Sequence, residues 1–244
     1  MQKTGYRKIL YVLCSISFLI FVLMAVVHFW SFNENFYRSE HSKIKLYGKS
    51  VAEHIGISDD DLDELTHFTL EYLNDSIFSN PSKTLNKQMV IHGELREVFT
   101  DDEKIHMVDV RRLNIASIFV GVICMIIFNV SMYLIIKKNL FKQFYLSNLK
   151  FYKVLSIIFA ALGLWIAIDF NSFWNFFHHI FFAGNDLWIL DLSKDILIMI
   201  VPPEFFFHLV TYILISFIIV LVLYNLILYF INKMVNKNDQ HRII

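Results

Sequence analysis

Cysteine, proline and glycine are scarce in this chain: two, three and seven residues among 244. Both cysteines, Cys14 and Cys124, sit inside apolar blocks, which argues against a disulfide framework or a cysteine-ligated metal site. A surplus of charge is missing too. Lys plus Arg and Asp plus Glu each total 22, so the balance points to neither a nucleic-acid partner nor a basic membrane patch. Motifs that announce common chemistries are also absent. There is no His-Glu-x-x-His pair for zinc, no Gly-x-Ser-x-Gly nucleophile turn and no phosphate-binding glycine loop. The reading therefore assigns the chain no metal and no cofactor.

What the chain does have is apolar surface. It is 56% hydrophobic and 16% aromatic, and the apolar residues come in long blocks. Four blocks reach the roughly 20 residues that cross a bilayer: about 9–30, 113–136, 154–170 and 205–231. In lipid the backbone must satisfy its own hydrogen bonds, so each block is expected to be helical. The fold class this predicts is an all-α integral membrane protein with four transmembrane helices, a single membrane domain over residues 1–244. The first block follows Lys3, Arg7 and Lys8 as a signal peptide would. It is long, however, and no small-x-small cleavage site follows Val27-His28-Phe29-Trp30, so it reads as an uncleaved first span. The block interiors carry no acids or bases, which argues against an ion-coupled transporter.

Positive charge sets the expected topology. The link between the second and third blocks holds Lys137, Lys138, Lys142, Lys150 and Lys153 and no acid, whereas Asp169 to Glu204 holds Lys194 against five acids. Short basic links belong in the cytoplasm, so both termini are expected inside. Segments 31–112 and 170–204 then form a small extracytoplasmic cap. Within it, Ser58 reads as the N-cap of an amphipathic helix of about four turns, with Asp59, Asp60 and Asp61 in its first turn. Asn80-Pro81-Ser82 reads as a turn. Residues 100–112 read as a helix, capped by Thr100, that enters the membrane at Leu113.

The segment from Trp174 to Trp188 is the most informative. It sets two imidazoles in an aromatic cluster, where a half-dry His can take or give a proton. On a helix the adjacent His178 and His179 face about 100° apart. Periodicity leaves open which one enters a pocket, and belt aromatics with an interfacial His are the plainer reading. His106 has Glu103 and Asp109 three residues away on either side, on roughly one helical face, where a carboxylate can orient an imidazole. A surface His on a charged helix is the plainer reading there. Among the ten histidines, His41, His54, His67 and His92 read as solvated cap residues, while His28 and His208 fall at the outer ends of the first and last spans. Cys124 falls about 16 Å down its span from the outer end, too deep to serve as a nucleophile for such a site.

Several stretches in order resemble one known family. Glu103-Lys104-Ile105-His106-Met107-Val108-Asp109-Val110-Arg111 is similar to a His-Met-x-Asp-Val-Lys pattern. Phe177-His178-His179-Ile180-Phe181-Phe182 resembles Phe-His-x-Ile-Phe-Phe. Pro203-Glu204-Phe205-Phe206 resembles a following Pro-x-x-Phe element, and Asn35-Phe36-Tyr37 also matches. These belong to the lipoprotein intramolecular transacylases, bacterial four-helix membrane proteins. Arg111 departs from a commoner Lys, and Ala183 stands where Pro often follows. The resemblance places the family's two histidines on His106 and His178. Asp109, Glu103 and His179 become supporting residues, and Phe36, Tyr37, Trp174, Phe177, Phe181, Phe182 and Trp188 a candidate substrate-confining wall. It implies a multi-pass protein of the bacterial plasma membrane with its active site on the extracytoplasmic face. The implied partners are diacylglyceryl-modified lipoproteins and membrane lipid. The implied reaction moves the sn-2 acyl chain to the α-amine of the lipoprotein's N-terminal cysteine, giving the lyso-form without a covalent protein nucleophile. Two other classes compete: a metal-dependent lipid or ester hydrolase using the same histidines, and a non-enzymatic envelope sensor or scaffold.

Overall fold

A computed structural model describes residues 2–75 and 85–241; the expected turn at Asn80-Pro81-Ser82 lies outside them. In chain order the elements begin with α1 (Gln2–Ser31), α2 (Glu34–Lys43), β1 (Lys45–Leu46), β2 (Lys49–Ser50), α3 (Val51–Ile55) and α4 (Asp59–Asn74). Then come β3 (Gln88–Ile91), β4 (Glu94–Glu97), α5 (Asp101–Lys137), α6 (Phe141–Ile168), α7 (Phe170–Phe181), α8 (Ile196–Ile200) and α9 (Pro203–His241). Four of these are long and apolar enough to cross a membrane: α1, α5, α6 and α9. α6 begins well before the apolar block, at Phe141, so most of the basic link is helix. The chain divides into two compact units.

The first unit contains residues 1–27, 118–168 and 213–244. Its helices show lipid the side chains that a soluble bundle would hide. Only 6% of the most apolar window of α6 is buried within the protein, and Ile157 and Leu164 are exposed. Its interior packs Cys14, Ile135, Phe144 and Phe217. Apolar contact with lipid gives no net drive for helices to associate, so close approach and polar links matter more. Both are present. A Cβ on Gly121 would lie 3.2 Å from the Met24 Cβ, so α1 and α5 meet at a small residue. The Ser15 hydroxyl donates to Asn148 Oδ1 at 2.8 Å, and Asn148 Nδ2 donates to Asn225 Oδ1 at 3.1 Å, threading α1, α6 and α9 together.

The second unit contains residues 28–117 and 169–212. Its α4 starts as the sequence predicts. Ser58 and Asp61 form a reciprocal capping box, and the helix buries Leu62, Leu65, Leu70 and Tyr72. Two antiparallel hairpins add strand that the all-α reading lacked. Their two-residue turns, Tyr47-Gly48 and His92-Gly93, place both residues of each pair at positive φ, the conformation that suits the twist of a tight hairpin. A Tyr or His before the Gly, in place of Asn or Asp, hides that signal.

The cap histidines do not behave alike. His67 and His92 are exposed, as expected, but His41 is buried and its Nε2–H donates to the Ile200 carbonyl at 2.9 Å. That corrects the solvated reading of His41: besides that bond, the rings of Tyr37 and Phe205 lie 6.2 and 6.3 Å from its own. His208 Nδ1 lies 2.5 Å from Glu40, a buried carboxylate that also accepts from Lys43 at 2.8 Å. Burial pushes the Glu40 carboxyl up, and its bonds to Lys43 and His208 outweigh that and hold it below the usual carboxylate range.

Glu103 anchors the start of α5. Its carboxylate accepts from the Thr100 N–H at 2.6 Å and the Leu197 N–H at 2.7 Å, and Thr100 Oγ1 accepts from the Glu103 N–H. Glu103 is fully buried, so truncation strands two backbone donors. Glu103→Ala is expected to destabilise the unit by about 3 kcal/mol. The check is thermal unfolding in detergent, where Glu103→Gln, which keeps one acceptor oxygen, should fall less.

Candidate active site

The 37 residues of α5 are far more than a bilayer needs, about 55 Å at 1.5 Å per residue against a core of about 30 Å. Residues 101–112 carry Asp101, Asp102, Glu103, Lys104, Asp109, Arg111 and Arg112, so they lie outside the spanning run that begins near Leu113. His106 is on this charged extension, buried on its inner face with Met107.

α7 brings the second histidine. Asp169 caps it by accepting from the Ser172 N–H at 3.0 Å, and Phe170, Trp174, Phe177 and His178 recur at helical spacing. His178 is the one buried side chain of this helix, and His179 is exposed. The choice that periodicity left open is thus made by packing.

The two imidazoles face a shared aromatic setting. Their ring centroids are 6.3 Å apart, and buried Phe182 lies 5.0 Å from His106 and 5.4 Å from His178. Trp188 stacks on His178 at 4.7 Å with 27° between planes, and Trp174 meets it edge-on at 4.4 Å. The rim is more open. Phe177 packs on both His178 and Phe181, while Phe181 itself is exposed; His179 reaches only the edge of Trp188, at 5.4 Å. Phe36 and Tyr37 stand further off. They pack on Phe205, which continues through Phe206 to Trp174, so their link to His178 is a chain of rings.

Hydrogen bonds set the chemistry of each ring. His178 Nδ1–H donates to the Trp174 carbonyl at 2.8 Å, which fixes the neutral tautomer and leaves the Nε2 lone pair free. Burial pushes the His178 pKa below the usual imidazole range; the bond to Trp174 opposes this and neighbouring His179 adds to it. His106 Nδ1 is buried with no hydrogen-bond partner among the described residues. Burial, and then His178, drive the His106 pKa down to about 4, against the pull of Asp109. Both rings are therefore neutral at pH 7.

The two flanking carboxylates do not hydrogen-bond to His106. Glu103 is spent on the helix cap and α8. Asp109 accepts from Arg112 Nη1 and Asn185 Nδ2, each at 3.2 Å, and acts on His106 only through its charge. Sequence spacing put all three on one face but could not show where the carboxylates would find their donors. Asn185 was missed, and its signal was the Gly184-Asn185-Asp186 break in an otherwise apolar run. Among the described residues, no group of three or more His, Cys, Asp or Glu side chains gathers as a metal would require. Cys14 and Cys124 both belong to the other unit.

Fold and site together define a multi-pass membrane protein that keeps a pair of neutral histidines in an aromatic cluster. The sequence matches the family described as lipoprotein intramolecular transacylase Lit over residues 12–206. The chain belongs to that family, and is an acyltransferase of lipoproteins by that membership. Among solved structures it is similar to the lipoprotein intramolecular transacylase Lit from Bacillus cereus, with 22% identity and a TM-score of 0.74 over 97% of this chain and 99% of that one. The Bacillus cereus protein with one histidine changed to arginine gives 21% identity and a TM-score of 0.71, covering 99% of this chain and 97% of that one. No curated protein sequence matches the chain.

Proposed function

We propose that this protein moves the sn-2 acyl chain of a diacylglyceryl-cysteine lipoprotein onto the α-amine of that cysteine, at the extracytoplasmic face, using His178 and His106. The observation that carries the reading is the pair of buried, neutral imidazoles 6.3 Å apart, one with its tautomer set by the Trp174 carbonyl. The outer face is supported by the basic link between the second and third spans.

The chemistry follows from what acyl transfer needs. The neutral amine attacks the ester carbonyl, forming a C–N bond, and its excess proton passes to His178 Nε2. The C–O bond to the glyceryl oxygen then breaks, and the His178 imidazolium returns that proton to the departing oxygen. A neutral His106 N–H donates to the carbonyl oxygen as charge builds on it. Trp188, stacked on His178, favours the transient imidazolium by cation–π attraction. No covalent protein nucleophile is needed, because the substrate brings its own amine. Holding amine and ester together in one dry pocket supplies the remaining advantage, through effective molarity.

Tandem mass spectrometry of a reporter lipoprotein's N-terminal peptide tests this. Transacylation is an isomerisation, so intact mass should stay constant while an N-acylated fragment appears. Loss of one acyl mass would point to a hydrolase, and an unchanged peptide to a sensor or scaffold.

A further inference from the structure

The segment after α7 carries Trp188 to the His178 ring with little regular structure to hold it. Ala183, Gly184 and Asp186 are exposed, and Gly184 turns the chain at φ +117°. One side chain fastens this turn at both ends. Asn185 Nδ2–H donates to Asp109 Oδ2 at 3.2 Å, and Asn185 Oδ1 accepts from the Leu187 N–H at 3.2 Å. The second bond closes the local turn that presents Trp188, as short polar side chains do in Asx turns. The first ties that turn to α5, three residues beyond His106.

We propose that Asn185 is a positioning residue for the acyl transfer: a clasp that holds Trp188 against His178 and joins that loop to the helix bearing His106. This rests on the reading of the two histidines as the reacting pair. Without the clasp, the loop loses its cross-link to α5, and the indole is free to leave the imidazole it stacks on. The pocket then admits water, and the imidazolium formed during transfer loses its flanking ring. Because the bonds of Asn185 go to Asp109 and Leu187 and not to a histidine, the expected loss is in turnover: kcat about tenfold lower for Asn185→Ala, with KM changed less than threefold.

The full-length protein labelled with 5-fluorotryptophan in detergent micelles separates this clasp from a merely structural role. It holds four tryptophans, and the Trp188 fluorine line is assigned by Trp188→Phe. In Asn185→Ala the Trp188 line should move and broaden while those of Trp30 and Trp165 stay in place, which also shows the chain is folded. Asn185→Asp keeps the acceptor for Leu187 but sets a carboxylate against Asp109, so it breaks the link to α5 alone and should act similarly. Adding Asp109→Asn to it restores one donor and one acceptor in reverse, and should recover the Trp188 line and a large part of the rate. An unmoved Trp188 line in both single variants, with wild-type turnover, would overturn the clasp while leaving the transacylase reading intact. A wild-type chain that makes no N-acylated product would instead overturn the functional reading, and the catalytic half of this proposal with it, whatever the fluorine spectra show.

Discussion

His178→Ala is expected to slow N-acyl product formation by about 10²–10⁴-fold, the range over which a positioned general base acts. The size follows from the way the ring is held. Its Nδ1 proton is committed to the Trp174 carbonyl, so the whole proton-accepting capacity of the residue is on Nε2. Alanine removes the acceptor whose tautomer the Trp174 carbonyl sets, and water enters the volume the imidazole filled. His106→Ala should cost about 10²–10³-fold, the loss seen when one donor to a developing oxyanion is removed. The double variant should fall little below the worse single one, because both groups serve one transition state and such effects do not multiply. His179→Ala, by contrast, removes an exposed ring that reaches only the edge of Trp188, and should cost less than threefold. Time courses of the N-acylated fragment, with thermal unfolding of each variant as the folding control, measure all four. A His178→Ala protein that retains a tenth of wild-type turnover would rule out the proposed base.

Much of this is legible in the sequence, for reasons that differ from element to element. The four spans are readable because lipid demands a long run of apolar residues in a row, and the caps at Ser58 and Thr100 because a helix start needs a side-chain acceptor for its free N–H groups. The two hairpins were not readable, since Tyr47-Gly48 and His92-Gly93 lack the Asn or Asp that usually marks such a turn. For the site, spacing can pair His106 with carboxylates on its own helix, but Glu103 and Asp109 each take a further donor, from Leu197 and Asn185, far away in sequence. Likewise His41 looks solvated among polar neighbours, and its bond to the Ile200 carbonyl and its contact with Phe205 join residues far apart in sequence. Local chemistry is written locally; which polar group meets which across the unit is decided by the fold.

Acidification should destabilise the protein in a window set by the buried histidines. The sign is fixed by linkage. His106 has an ordinary imidazole pKa near 6.5 when unfolded and one lowered to about 4 when folded, so in between the unfolded state binds more protons. Stability is therefore full above pH 6.5, falls as pH drops from 6.5 towards 4, and changes no further from this group below that. The drop attributable to His106 is on the order of 3 kcal/mol. His178 and His41, whose pKa values burial also lowers, add to it in the same direction. Glu40, held below the usual carboxylate range by Lys43 and His208, loses its contribution only below about pH 4.5, whereas burial raises the Glu103 carboxyl, so its protonation works in the opposite direction. The same lowered pKa keeps His178 a proton acceptor further into acid than a free imidazole, while the substrate's own α-amine, with an ordinary pKa of about 7.7–8.0, sets how far turnover falls there. Apparent melting temperatures in detergent at pH 7.5, 6.5, 5.5 and 4.5 test the first point. The wild-type curve should fall through this range, and that of His106→Gln, which has no imidazole to protonate, should be flatter. Parallel curves would mean that His106 is hydrated and titrates normally, and a residue of that kind could not serve as the neutral donor that the proposed mechanism assigns it.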